Sequence, residues 1–348
     1  MANATSRWWT SLAGAGRIKR MSMRWGMTVP LGGVPLSGHQ AVYQALEDAG
    51  FTDLWSSEVN GTDAFTPLTL AAAWAPRLRL GTAIAPVFTR GPGLLAMTAA
   101  ALAEAAPGRF QLGIGASSPV VVGDWNAADF TEPFLRSRDT LRFLKAALAG
   151  EVVDHDYGTF ALRRFRLERP PATPPQILLA ALRPGMLRLA AAEADGTILN
   201  WLSPADVSTA LAETKAAGPG FEVAARIFVC PTDDAAHARA VGRRMIAAYL
   251  TVPAYAAFHR WLGRTETLTP MWQAWSAGDR KGALAAIPDS LVDELIVHGS
   301  PEECRAKVES YAEAGITVPV MALLPTPALD SGDLPTLLKI LTDLGARG

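Results

Sequence analysis

The chain has 348 residues, 49% hydrophobic and 19% charged, which is enough apolar material for a large closed core and too little charge for a disordered chain. Its 32 Lys and Arg stand against 33 Asp and Glu, and no basic cluster interleaved with aromatics follows the N-terminus, which excludes nucleic acid as the expected partner. Cys230 and Cys304 lie far from any metal-ligand spacing and read as plain thiols of a reducing compartment.

The first residues, MANATSRWWTSLAGAGRIKRMSM, begin like a signal peptide, but Thr10, Ser11 and several glycines break the apolar stretch. Residues 1–22 therefore read as a disordered tail, ahead of one domain over 23–348. No later stretch offers 18 apolar residues free of charge or proline, so a cytoplasmic protein without a membrane partner is expected.

From Arg24 short apolar runs alternate with helical patterns, the signature of parallel βαβ units. RWGMTV (24–29) reads as a strand and SGHQAVYQALEDAG (37–50) as a helix capped by Ser37 and stopped by Gly50. TDLWSS (52–57) is the second strand, followed by a helix over 65–75. RLRLGTAIA (77–85) and RFQLGIG (109–115) are strands on either side of a helix over 94–106. The alternation stumbles at ASSPVVVGDWNAADF and resumes with a helix over 133–149. EVVDHDYGTFALRRFRLE (151–168) alternates like a hairpin that decorates the core. QILLAA (176–181), GTILNW (196–201), VAARIFVC (223–230) and TVPVMALL (317–324) complete eight strands, the last preceded by a helix over 301–315. Eight βα units favour a closed (β/α)₈ TIM barrel over an open sheet. Residues 232–298 are too long for one crossover and read as a helical insertion between the seventh and eighth strands. Its Trp261, Trp272 and Trp275 either lid a site or pack the insertion.

A barrel carries its chemistry at the C-terminal ends of its strands, here Thr28, Ser57 to Asn60, Ala83 to Thr89, Gly115 to Ser118, Ala180 to Met186, Asn200, Trp201 and Pro231. Among His39, His155, His237, His259 and His298 no pair has metal spacing, so no metal site is expected. A Gly-x-Ser-x-Gly elbow is missing, which argues against a serine nucleophile. Glu58, Asp63 and Asp124 are available acids, but so apolar a mouth suits a flat ligand and an imported cofactor. In LLAALRPGMLRLAAAEADGTILNW (178–201) a strand of small residues meets Arg-Pro-Gly and a helix start. Bare N–H groups there favour an anion such as phosphate, with Arg183 adding charge and Ala180 and Ala181 permitting close approach. The same residues equally describe a tight loop with Arg183 in solvent.

TDLWSSEVNGTDAFTPLTLAAAWAPRLRLGTAIAPVFTRGPGLLAMTAAAL, GRFQLGIGASSPVVVGDW, LLAALRPGMLRLAAAEADGTILNW and HGSPEECRAKVESYAEAGI, in that order between Arg24 and Leu324, resemble the luciferase-like monooxygenase superfamily. More narrowly, they are similar to its actinobacterial members that use the deazaflavin coenzyme F420. The resemblance implies a (β/α)₈ barrel whose mouth binds F420 or FMN. It implies that backbone at Leu182, Arg183, Gly185 and Met186 cradles the cofactor phosphate beside Ala180 and Ala181. It also implies that Thr82, Ala83 and Ile84 form a bulge, often with a non-proline cis peptide, against the ring. Gly115, Ala116 and Ser117 would flank the cofactor tail, with Gly115 allowing close approach. Thr197 to Trp201 would face the mouth, with Thr28, Trp125 and Trp201 toward the substrate. Trp125 either stacks on a flat ligand or plugs the hairpin.

One departure stands out: where many members carry a His after the second strand, this chain has Val59, between Glu58 and Asn60. Glu58 is then either a direct contact or an orienting group, Asn60 a hydrogen-bonding group toward substrate or ring, and Asp63 a helix cap. The activity implied is hydride transfer between the deazaflavin C5 and a small organic substrate. The alternatives are an FMN-dependent monooxygenase served by a reductase, and a cofactor-binding protein without catalysis. A wide basic exit for the deazaflavin tail has Arg90, Arg163, Arg164 and Arg183 as candidates, unless these are solvated surface residues. A flavin or F420 reductase would supply the cofactor, and the helices at 65–75 and 94–106 would either pair in a homodimer or pack around the barrel.

Overall fold

The structure, a computed structural model, describes residues 24–345, so the tail expected at 1–22 lies outside the described residues. Among the described residues twelve strands occur in chain order: β1 (Gly26–Thr28), β2 (Asp53–Ser56), β3 (Arg79–Thr82), β4 (Ala85–Pro86), β5 (Phe110–Gly115), β6 (Val153–Asp156), β7 (Ala161–Phe165), β8 (Gln176–Ala180), β9 (Gly196–Asn200), β10 (Glu222–Pro231), β11 (Ile296–Gly299) and β12 (Val318–Leu323). Parallel pairing runs β1-β2-β3-β5-β8-β9-β10-β12 and returns from β12 to β1, which closes an eight-stranded (β/α)₈ barrel. These are the eight strands read from the sequence. The expected strand over 77–85 is divided into β3 and β4 around a cis Ala83–Ile84 peptide. β6 and β7 form the antiparallel hairpin.

The outer helices bury one apolar stripe each, as at Val42, Tyr43 and Leu46 in the helix His39–Asp48. Ser37 does not cap that helix; it lies inside a 3₁₀ turn, Leu36–Gly38, that precedes it. Gly50 ends the turn beyond it at φ 86°. Ser300 and Glu303 form a reciprocal capping box on the helix Pro301–Glu313. A C-terminal helix, Leu334–Leu344, lays Leu337, Leu341 and Leu344 into the core. Between β10 and β12 lie five helices from Ala235 to Leu295, and then β11, an added strand beside β10 that the helical reading of 232–298 omits. No helix among the described residues is long and apolar enough to cross a membrane.

Inside the barrel the side chains lie in layers. At the N-terminal end Arg24 pairs with Asp53 and Glu222, and Gln111 Nε2 donates to Gln176 Oε1 at 2.8 Å. Above this polar layer Trp55, 1% exposed, fills the lumen with Leu178, Ile198, Ala224, Val318 and Val320. Gly81 makes room for its indole, since a Cβ there would fall 2.5 Å from Trp55 Cε3. The lumen is therefore packed shut around Trp55, below its C-terminal mouth.

Candidate active site

At the mouth the ends of β5, β8 and the β3–β4 bulge come together. A Cβ on Gly115 would lie 3.0 Å from Ala180 Cβ and 3.4 Å from Ile84 Cγ1, so three predicted residues from three elements meet around one bare backbone position. Ala83 and Thr28 join them from the sides, lining a narrow cleft with Trp55, Ser56, Ile198, Ala224, Arg226 and Val320. Ala116 follows half-buried, and Ser117 takes a left-handed φ of 65° as the chain leaves β5. A short π-helical turn, Val120–Asp124, then occupies the stretch where the alternation stumbled.

The helix after β8 begins at Pro184, a turn edge earlier than the start near Met186 suggested by its sequence. Arg183 is its extended N-cap, with no side-chain capping bond, and Leu187 N donates back to Arg183 O at 3.0 Å. Gly185 and Met186 sit in the first turn, where N–H groups have no intrahelical acceptor. Leu182 and Met186 put their side chains against the helical shell, which leaves backbone as what this turn can offer a ligand.

Several expected contacts are corrected. The Thr82 hydroxyl is fully buried and bridges β3 to β5, donating to Gly113 O and accepting from Gly113 N, both at 2.8 Å. It is spent on the sheet, which the Gly113 backbone can approach because it has no side chain. Ala181, the residue after Ala180, points to the outer shell, as strand alternation requires. Thr197 donates to Leu179 O at 3.0 Å and likewise faces backbone. Trp201, 1% exposed at φ 57°, stacks 4.2 Å from Phe228 and 5.1 Å from Tyr249, so it packs the insertion on the barrel and does not face a substrate.

Glu58 accepts from Ala64 N at 3.1 Å, from Thr89 Oγ1 at 3.3 Å and from Arg90 Nη2 at 2.7 Å. Its carboxylate thereby ties the loop after β2 to the loop after β4. Arg90 is spoken for as well: it pairs with Glu58 and Asp63 and lies 4.9 Å above the Phe65 ring, which removes it from the basic exit. Asp63 accepts from Phe65 N and Thr66 N at 2.8 and 3.0 Å, the expected cap. Those bonds and Arg90 hold its carboxyl below the usual range although burial pushes the other way. Asn60 and Val59 are exposed on the loop tip, and Trp125, 53% exposed, stands on the π-helical turn. Arg163 and Arg164 lie exposed on the hairpin, Arg163 near Asp154 at 3.8 Å.

Two groups at the mouth escaped the sequence reading. Arg226 projects from β10 into the cleft, and Tyr255, from the insertion helix Pro253–Trp261, accepts from Asn200 Nδ2 at 2.9 Å. Burial lifts the Tyr255 hydroxyl to about 12, so it stays protonated. The signal for Arg226 was present: in VAARIFVC, Ala224, Arg226 and Phe228 alternate with the shell-facing Ala225, Ile227 and Val229. Tyr255 had none, because its approach depends on the insertion's packing.

The profile of a family described as luciferase-like monooxygenase matches residues 21–318. A Mycobacterium tuberculosis protein assigned by name to the coenzyme F420-dependent oxidoreductases is 30% identical over 322 residues, covering 83% of this chain and 92% of that protein. Among solved structures, the coenzyme F420-dependent tetrahydromethanopterin reductase of Methanopyrus kandleri superposes with a TM-score of 0.70 at 19% identity, covering 92% of this chain and 97% of that one. The oxygenating constituent of 3,6-diketocamphane monooxygenase from Pseudomonas putida, in complex with FMN, gives 0.62 at 17% identity, with 94% and 98% covered.

Proposed function

The chain belongs to the luciferase-like monooxygenase family, and from that membership we propose that it is an F420-dependent oxidoreductase passing a hydride between the deazaflavin C5 and a small organic substrate. The observation that carries the reading is the meeting of Ile84, Gly115 and Ala180 around a backbone position with no side chain, beside the bare first turn at Pro184. A flat ring fits a surface of small residues, and a phosphate fits a helix N-terminus, so the residues present suit this cofactor. The F420-dependent relative at 30% identity supports the choice.

When bound, the deazaflavin supplies two-electron hydride chemistry at C5, where FMN would supply oxygen activation. Ala83 and Ile84 would back the ring, Gly115, Ala116 and Ser117 would flank the tail, and the Gly185 and Met186 amides would hold the phosphate. Arg183, exposed and without a capping bond, adds positive charge beside them. The Glu58–Arg90 pair positions the two loops that frame the mouth, and Trp55 closes it from below, so that water reaches the substrate only from above. Thr28 lines the substrate side, and Trp125 is free to stack on a flat ligand. A homodimer through the helices at 66–74 and 92–105, and a reductase that restores the cofactor in the cytoplasm, complete this reading.

The second reading is an FMN-dependent monooxygenase, favoured by the match to an FMN-bound fold neighbour. Paired titrations of the purified chain with F420 and with FMN, followed by fluorescence quenching, separate the two. Micromolar binding of F420 with negligible FMN binding is expected. Preference for FMN would move the protein to oxygenation, and binding of neither would leave a barrel without its cofactor.

A further inference from the structure

Arg226 is the cationic side chain that lines the cleft at the mouth; its co-lining residues Thr28, Trp55, Ser56, Ala83, Ile198, Ala224 and Val320 are uncharged. Arg24, Arg79, Arg90 and Arg264 each meet a carboxylate. Arg226 forms no salt bridge among the described residues, and its Nε is buried without an acceptor. Arg226 is half-buried, and a guanidinium whose Nε is enclosed without an acceptor gains from a counter-charge brought by a ligand. It is also held still: its Cζ lies 5.0 Å over the Phe228 ring.

Its strand neighbours offer no negative charge. In register Arg226 faces Val320 on β12 and Asn200 on β9. Asn200 is fixed by its bond to Tyr255, and its Oδ1 is buried and unpartnered, a lone pair and not a counter-ion. The cleft as a whole has room for about one water-sized group, so it can take the oxygen end of a planar carboxylate but not a tetrahedral phosphoryl group, and the rest of a ligand must lie outside it at the mouth.

We propose that the substrate is a small organic acid whose carboxylate is held by Arg226, with the rest of the molecule lying on the Thr28 side of the mouth, across the cofactor ring from Ala83 and Ile84. This assignment rests on reading the mouth as an oxidoreductase site. Arg226 then fixes which end of the substrate lies deep and which carbon is presented to the cofactor, and the Asn200–Tyr255 pair keeps the neighbouring wall polar but uncharged. Arg226 is therefore the residue that selects acids over their neutral analogues.

The test uses the full chain, with and without F420, and calorimetric titration with benzoate, benzamide and inorganic phosphate at low salt. Benzoate is expected to bind at least about tenfold more tightly than benzamide, the worth of one charge-assisted contact. Arg226→Met should abolish that preference, with benzamide and F420 affinities unchanged. Asn200→Asp, which sets a carboxylate opposite Arg226, should also erase it, and Arg226→Lys should retain part of it, so the result does not hang on one variant folding. Equal binding of benzoate and benzamide to the wild type overturns the proposal. So does phosphate binding in place of benzoate, or loss of F420 together with benzoate in Arg226→Met, which would give Arg226 to the cofactor. Acid selectivity without F420 binding would leave the carboxylate site standing and sink the cofactor reading, whereas F420 binding without acid selectivity would do the reverse.

Discussion

Arg90 Nη2 lies 2.7 Å from Glu58 Oε2, and the pair joins two loops at the rim of the barrel. Each side chain is 17% exposed, so the bond is shielded enough to matter and both partners are committed to it. With Ala64 N and Thr89 Oγ1 on the same carboxylate, Glu58 is a positioning residue. Glu58→Gln should lower stability by about 1 to 3 kcal/mol, as expected for weakening a charge-assisted hydrogen bond, and raise KM more than it lowers kcat. The pH profile of turnover should keep both limbs; disappearance of one would make Glu58 a proton-transfer group.

Gly115 is the second point of leverage. Gly115→Ala puts a Cβ 3.0 Å from Ala180 Cβ, where the cofactor would approach bare backbone. Cofactor affinity should fall about tenfold and the melting temperature should fall as well, because the added Cβ crowds Ala180 and Ile84 at a buried position. Fluorescence quenching beside a thermal melt reads both. Unchanged affinity would place the cofactor elsewhere.

His259 is fully buried, with both ring nitrogens unpartnered, and burial, reinforced by nearby Arg264, pushes it down to about 3. The unfolded chain binds its proton from about pH 6.5 downward and the folded chain does not. Stability is therefore complete above about pH 6.5 and declines, by up to about 1.4 kcal/mol per pH unit, as pH falls toward 3. His39, also lowered by burial, contributes in the same direction. Between pH 6.5 and 5, above the carboxylate range, His259→Leu should flatten the slope of stability against pH relative to wild type. An identical slope in denaturant melts would show that the ring is protonated inside the fold.

Arg264 anchors the insertion. It is 8% exposed, Nη2 lies 2.7 Å from Asp206 Oδ2 and it also bonds Glu294, linking the insertion to the helix Pro204–Leu211. Arg264→Met leaves Asp206 buried without its cation and should cost about 3 to 5 kcal/mol in urea unfolding. A loss below about 1 kcal/mol would mean that solvent already reaches the pair.

The strand count, the hairpin, the insertion and the stop at Gly50 were legible in the chain because each is a local signal: apolar period, glycine or proline punctuation, and length. The residues that meet at Gly115 were legible for a related reason, since closure of a barrel brings the ends of its strands to one rim. What a side chain does on arrival was decided by pairing across long sequence separations. Thr82 satisfies Gly113 across 31 positions, Glu58 meets Arg90 across 32, and Tyr255 reaches Asn200 across 55. Period alone separates Arg226, facing the cleft, from Ala225 and Ile227, facing the shell, but only the closed barrel leaves its charge without a carboxylate. Local sequence sets which backbone geometry is cheap. Which polar atoms remain unpartnered depends on every neighbour that tertiary packing brings within hydrogen-bonding distance.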